Sequence, residues 1–387
     1  MTKRAAICAV AQTAYERDKW FQRQQGMAWE VVEQLLKATG LDFNEDTGIG
    51  QIVTVSDDIF DGRTISDAAV TDAVGAHYRE EEKVSQDGAQ AVYYALSIVL
   101  SGHADLVMIV GHCKESQPGS RNIVTHMAFD PFFTRPVGLD YLLAAGLQAD
   151  AYARKTGLTE AQLAEVVVRA RKNAAGNPQI KDLPAVTAKE VLASPYLAAP
   201  IRELMAYPVS DAAIGMIIAS EERAKKLTDK PVWISGVGCC YDSFFLGDRD
   251  LTANFSLKQA AKRAYRMAGV KQPKKQVDLF EISDRYAYEL PLWAEGLGLC
   301  GDGRGAKWLK SGGPDKAHVN LTGGTLAGVP MMLSGLARVV DATRQLRGEA
   351  GASQVIGAKR AVAHGSTGPA GQHHTVVVLE NQEVEHA

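Results

Sequence analysis

The sequence predicts an α/β fold built from two similar halves, and three observations predict it. Short apolar runs rich in β-branched residues alternate with amphipathic stretches along most of the chain. At 387 residues the chain exceeds a single domain of average size. An internal echo links two stretches. Residues 88–111 run helix, Gly102-His103-Ala104-Asp105, apolar strand, and residues 328–365 run glycine-rich loop, helix, Arg347-Gly348-Glu349, strand.

Strands are expected at 5–10, 52–55, 106–110, 232–237, 277–282, 360–364 and 375–379, each a short apolar run. Helices are expected between them, at 28–38, 88–100 and 256–268 among others. Residues 116–208 depart from this alternation. They begin as loop, turn helical over 142–155 and 160–175, and carry prolines at 178, 184, 195, 200 and 208. Such a segment reads as an insertion that covers one end of a sheet and shapes a pocket. The link between the halves falls between the strand ending near Gly238 and the helix beginning at Ser256, giving domains of 1–255 and 256–387.

Hydrophobic residues make up 46% of the chain, enough for a large core, and the net charge of -3 leaves no footprint for nucleic acid or an anionic membrane. No apolar run reaches the length of a membrane span. Lys3 and Arg4 lead straight into a strand-like run, so neither a signal peptide nor an anchor is expected. The five cysteines (Cys8, Cys113, Cys239, Cys240, Cys300) are scattered and odd in number, which reads as reduced thiols of a cytoplasmic protein. Neither C-x-x-C nor H-E-x-x-H occurs, so no metal site is expected.

Four motifs, in order, are spread over most of the chain. The first is Ser85-Gln86-Asp87-Gly88-Ala89-Gln90-Ala91 with Gly102-His103-Ala104-Asp105 after it. The second is Tyr207-Pro208-Val209-Ser210-Asp211-Ala212-Ala213. The third is Val319-Asn320-Leu321-Thr322-Gly323-Gly324, with Gly328, Pro330 and Gln345-Leu346-Arg347-Gly348 following. The fourth is His364-Gly365-Ser366-Thr367-Gly368-Pro369-Ala370-Gly371. Together they resemble the thiolase superfamily, in particular its sterol-carrier-type and archaeal-type branch. The resemblance implies two βαβαβαββ halves in an αβαβα sandwich with a covering loop domain, assembled as a homodimer or dimer of dimers. It also implies a coenzyme A thioester as substrate, with no covalently bound cofactor, and a small zinc-ribbon and OB-fold protein as partner.

Measured against that family, the catalytic parts are altered. Ser85 stands where the family has its nucleophilic cysteine. Its place at the start of a helix favours negative charge, which would activate a thiol, but a serine hydroxyl there still needs a base. Ser85 is therefore either a helix cap or substrate contact, or a nucleophile with a partner base. Val329 replaces the histidine of the family's G-H-P triplet, and Ser283-Asp284-Arg285-Tyr286 replaces N-E-A-F or H-D-C-F. The family's late cysteine falls at Gly365, or at His364 with a slip of one residue. What remains is Asp284, Tyr286 (with Tyr288 nearby) and His364 as catalytic candidates, and Asp87 as a cap or a substitute base. Each tyrosine is otherwise a core residue with a partnered hydroxyl, and His364 is otherwise structural. Gly324, Gly328 and Gly368 belong to loops whose backbone N–H groups can hold a thioester oxygen. His112 and His126 flank the start of the covering segment as pocket candidates, and His373 and His374 are expected at the surface. Phe129, Phe132, Phe133 and Tyr141 point either to a bulky acyl group or to plain core.

Two functions from different classes follow. One is an enzyme that cleaves or forms a carbon–carbon bond in an acyl-CoA, of retro-aldol or retro-Claisen type, without a cysteine acyl-enzyme. The other is a catalytically silent thiolase-like scaffold subunit of a heteromeric acyltransferase. A thiolase or acyltransferase that takes its nucleophile from free coenzyme A or from a partner chain remains a third.

Overall fold

The computed structural model describes residues 4–44, 47–62, 65–181 and 183–381. Lys3, Asp182 of the covering segment and residues 382–387 lie outside them. Among the described residues run eleven strands. They are β1 (Ala5–Gln12), β2 (Gln51–Val55), β3 (Glu80–Val84), β4 (Leu106–Lys114), β5 (Tyr196–Ala198), β6 (Ile201–Arg202), β7 (Asp211–Ser220), β8 (Val232–Tyr241), β9 (Leu279–Ile282), β10 (Arg360–Thr367) and β11 (His373–Glu380).

Nine of them form one hydrogen-bonded series, β3-β2-β4-β7-β1-β8-β11-β10-β9. Its order mirrors about the β1–β8 seam. On one side the sequence-first strand β1 lies beside the sequence-last strand β7, then β4, β2 and β3. On the other side β8 lies beside β11, then β10 and β9, and Val319 bridges Phe280 in parallel one step further. The seam itself is short, pairing only Ala6 with Trp233 and Ile7 with Val232. The helices Gly88–Ser101 and Ser334–Arg347 pack on each other and on strands of both sides, whereas Gln24–Thr39 covers β7, β1 and β4, and Phe255–Met267 covers β8 and β11. The layers therefore run helix, sheet, helix, sheet, helix.

All seven expected strands are present, most of them longer than their apolar run. Two strands of the series were not expected. β7 is buried at all positions but its last, with a continuous apolar stretch typical of a strand covered on both faces. Its first residues fall within the motif at 207–213. β3 reads EEEKV, and alternation puts Glu80 and Glu82 outward at the open edge of the sheet. Charge on such an edge opposes unwanted pairing, and it also hides the strand from a search for apolar runs.

The covering segment holds the helices Arg121–His126, Tyr141–Thr156, Glu160–Ala174 and Ala188–Ala193 and the ribbon of β5 and β6. Thr159 opens the third of these helices with a capping box to Gln162. Although the segment precedes β7 in sequence, its apolar face joins the core of the other half: Leu142, Tyr152, Leu163 and Val167 pack with Phe280, Leu292 and Trp293. That docking roofs the ends of β4 and β9 and leaves a cavity between them. Among the described residues no helix is long and apolar enough to cross a membrane.

Candidate active site

The cavity encloses about 730 Å³ and draws most of its wall from the covering segment, with Tyr286, Gly328 and Met331 contributed from the other half. One buried carboxylate organises its inner side. Glu115 follows β4, and its Oε1 accepts the Met331 N–H at 2.8 Å and the Tyr207 hydroxyl at 3.3 Å, while Oε2 accepts the Ser210 N–H at 3.4 Å. Three chain segments are thereby held around one group. Burial pushes the Glu115 carboxyl up to about 7, against the pull of Arg121 and these hydrogen bonds.

Tyr207 is fixed on every side. Its N–H donates to the Arg285 carbonyl at 2.8 Å, and its carbonyl accepts Arg121 Nη1 at 2.9 Å. The Arg121 guanidinium lies 4.1 Å from the centre of the Tyr207 ring, a cation–π contact. Tyr286 meets Tyr207 edge-to-face at 6.2 Å and stacks on Tyr288 at 6.3 Å. Burial pushes the Tyr286 hydroxyl up to about 12, with Arg285 and Arg121 working the other way, so it keeps its proton at neutral pH. Among the described residues that hydroxyl has no hydrogen-bond partner, whereas Tyr288 donates to Gln148 at 2.8 Å. Ser210 Oγ is buried in the same wall without a partner among the described residues.

Of the eight residues singled out in the sequence, Tyr286 and Gly328 line the cavity. Asp284 lies behind it. Its Oδ1 accepts the Thr325 N–H at 2.7 Å, and a Cβ on Gly324 would come within 2.4 Å of that oxygen, so the carboxylate braces the Gly323-Gly324 turn. Gly324 (φ +71°) and Gly328 (φ +101°) both sit in the backbone region that favours glycine. Ser85 is exposed in the loop between β3 and the helix Gly88–Ser101 and lies outside the cavity wall. Asp87 does not face it as a base. Its Oδ1 accepts the Ala89 N–H at 2.9 Å and its Oδ2 accepts the Gly335 N–H at 2.7 Å, clamping the starts of the two central helices together. A Cβ on Gly335 or Gly365 would lie within about 2 Å of the same carboxylate, which leaves room there only for glycine.

His364 points away from the cavity. Its Nε2 sits 2.9 Å from His374 Nδ1 beside Trp293, and burial, aided by Arg285, pushes its pKa down to about 3, so it is a neutral core histidine. Gly368 offers its carbonyl to Arg285 at 3.5 Å and also lies off the wall. His373 and His374, expected at the surface, are buried, because both faces of β11 are covered. His112 pairs with Asp61 at 3.1 Å and His126 with the Leu139 carbonyl at 2.9 Å; neither lines the cavity. Of the four aromatics, only Tyr141 does; Phe129 is buried against it, and Phe132 and Phe133 are exposed. Glu115 and Arg121 escaped the sequence reading because no motif marks them. The one available signal was an acid placed just after a fully apolar strand. Among the described residues no cluster of three His, Cys, Asp or Glu side chains is arranged to hold a metal ion.

The raised Glu115 carboxyl has a measurable consequence. An unfolded glutamate ionises near pH 4, so between roughly pH 4 and 7 the folded state holds a proton that the unfolded chain has lost. The stability this group contributes is present below the unfolded value and is lost as pH rises through the folded one. In urea melts, Glu115→Gln is therefore expected to gain stability relative to the parent between pH 4.5 and pH 7.5. A difference that is flat, or that moves the other way, contradicts this account of the site.

Residues 241–381 match the model of the thiolase C-terminal domain-like family. The acetyl-CoA acetyltransferase of Methanothermobacter thermautotrophicus is 27% identical over 382 residues, which span 95% of this chain and 97% of the relative. These matches support the thiolase superfamily. A second relative is the benzoylsuccinyl-CoA thiolase subunit BbsB of Thauera aromatica, 27% identical over 286 residues, or 71% of this chain and 72% of the relative. Among solved structures, the Ltp2-ChsH2(DUF35) aldolase superposes with a TM-score of 0.83 over 98% of both chains at 19% identity, which establishes the fold.

Proposed function

We propose that this chain acts on acyl-CoA thioesters and cleaves or forms a carbon–carbon bond next to the thioester without a covalent acyl-enzyme. The favoured reaction is retro-aldol cleavage of a β-hydroxyacyl-CoA. One observation carries the reading: two tyrosines face each other in the cavity with a buried carboxylate behind one of them, while Ser85 lies outside. In the cleavage direction Tyr207 takes the proton of the substrate's β-hydroxyl as its own proton passes to Glu115. The carbon–carbon bond breaks, releasing an aldehyde or ketone, and its electron pair becomes a thioester enolate. Tyr286 then gives its proton to the enolate carbon, yielding the shortened acyl-CoA, and the proton on Glu115 returns to Tyr286 through solvent. Backbone N–H groups around Gly324 and Gly328 are the candidates to steady the enolate oxygen. The exposed Arg17 and Lys181 at the cavity rim suit the phosphates of coenzyme A.

Further support comes from the relatives' names. The fold neighbour is an aldolase with two named components, and BbsB is a subunit. We propose, as the family resemblance implies, a small zinc-ribbon and OB-fold protein as partner, a homodimer or dimer of dimers as the assembly, and the cytoplasm as location. The proposed halves are residues 1–255 and 256–387, with the seam of the sheet at the β1–β8 pair.

The test uses purified protein with panels of β-hydroxyacyl-CoA and β-ketoacyl-CoA, alone and with any co-purifying small protein. Ser85→Ala is expected to retain activity on the productive panel within about twofold. Loss of activity in Ser85→Ala, with Ser85→Cys gaining thiolysis, would restore a nucleophile at that position.

A further inference from the structure

Among the described residues three arginines are more than nine-tenths buried, and two of them are neutralised inside the protein. Arg285 (2% exposed) pairs with Glu289 at 2.9 Å, and Arg338 (1%) pairs with Glu281 and Asp341, both at 2.9 Å. Arg171 (7%) is different. It stands near the end of the helix Glu160–Ala174, lines the same cavity as Tyr286, and makes no ion pair or hydrogen bond with any described residue. Its Nε is fully buried and unpartnered. Burial alone pulls its pKa below the usual arginine value, with no anion acting against it. A mostly buried charge left this way is unfavourable unless something beyond the described residues meets it.

Arg121 is a second cation of that wall. It donates to the Tyr207 carbonyl and lies over the Tyr207 ring, and among the described residues no carboxylate comes within ion-pair distance of it, Glu115 acting on it only at longer range. Among the described residues, the nearby acids do not fill the gap. Glu16 is half-exposed and paired with Lys19, Glu203 is exposed, and Glu115 is committed to three donors on the inner side. Coenzyme A phosphates are strongly hydrated and match the wet rim at Arg17 and Lys181. The planar fork of Arg171, mostly buried and opening on the cavity, matches a carboxylate.

We propose that Arg171, with Arg121 as the second cation of the wall, binds a carboxylate on the acyl part of the substrate, so that the ligand is a carboxyacyl-CoA. This rests on the acyl-CoA reading above and narrows it. The carboxylate supplies the anion the buried guanidinium lacks, and it selects dicarboxylic acyl groups over neutral ones of equal length.

Calorimetric titration of the full chain with succinyl-CoA, butyryl-CoA and free coenzyme A tests it. Succinyl-CoA is expected to bind roughly tenfold or more tighter than butyryl-CoA, the scale of a charge-assisted pair. In Arg171→Gln that ratio is expected to fall close to one, and in Arg171→Lys to recover in part. The unliganded Arg171→Gln protein is expected to melt no lower than the parent, since it loses an uncompensated charge. A ratio near one in the parent, or one unchanged in Arg171→Gln, overturns the subsite while leaving the acyl-CoA reading intact. Absence of binding by all three ligands overturns the acyl-CoA reading, and the subsite with it.

Discussion

Tyr286→Phe is expected to lower kcat for cleavage of a β-hydroxyacyl-CoA by roughly 10²–10⁴-fold, the usual range for a lost proton-transfer group, with KM little changed. The substitution keeps the ring, so the contacts with Tyr207 and Tyr288 and the packing of the loop after β9 remain. Only the hydroxyl is removed, and it has no partner among the described residues whose loss would disturb the fold. Steady-state rates with an unchanged circular dichroism spectrum check this. A kcat within twofold of the parent would assign the proton to another group.

Arg338→Met is expected to cost about 3–5 kcal/mol of unfolding free energy, because it leaves two buried carboxylates without their cation. Arg338 lies on the central helix Ser334–Arg347 and reaches Glu281 in β9 and Asp341 one turn away. Asp341 in turn accepts the Thr322 hydroxyl at 2.8 Å, so the network ties the helix to the glycine turn at the cavity's edge. Equilibrium urea unfolding measures the loss. Replacing Glu281 and Asp341 by leucine in the same protein is expected to recover most of it, since an apolar core then replaces an unbalanced one. A loss below about 1 kcal/mol in Arg338→Met would mean that the pair is not held as described.

The architecture was legible because periodicity reports burial, and most elements of this fold are buried on one face or two. The strands with Val and Ile runs announced themselves; β3 did not, because an edge strand is shaped by avoidance of pairing and carries glutamates instead. The site was legible only where a motif marked it. Tyr286 and Gly328 stand in motif loops and line the cavity, yet Asp87 and Asp284, from the same motifs, have their carboxylates turned to backbone N–H groups. Sequence position places a residue near a site, whereas the direction of its side chain depends on packing that neighbouring residues alone do not encode. His364 shows the same limit. Alternation along β10 sends it toward Trp293 and the outer layer, while Gly365 faces the central helices. Glu115, Arg121 and Arg171 are brought together by the docking of the covering segment, a long-range event with no local signature.

The central claim is carbon–carbon bond cleavage by cavity tyrosines without a covalent intermediate, and product stoichiometry from a β-hydroxyacyl-CoA tests it most directly. The account predicts one aldehyde or ketone for each shortened acyl-CoA, with no requirement for free coenzyme A and with the same yield in Ser85→Ala. Cleavage of β-ketoacyl-CoA that depends on free coenzyme A and vanishes in Ser85→Ala would contradict it. So would silence toward every substrate, with and without the small partner, from a chain that forms a stable complex on a sizing column.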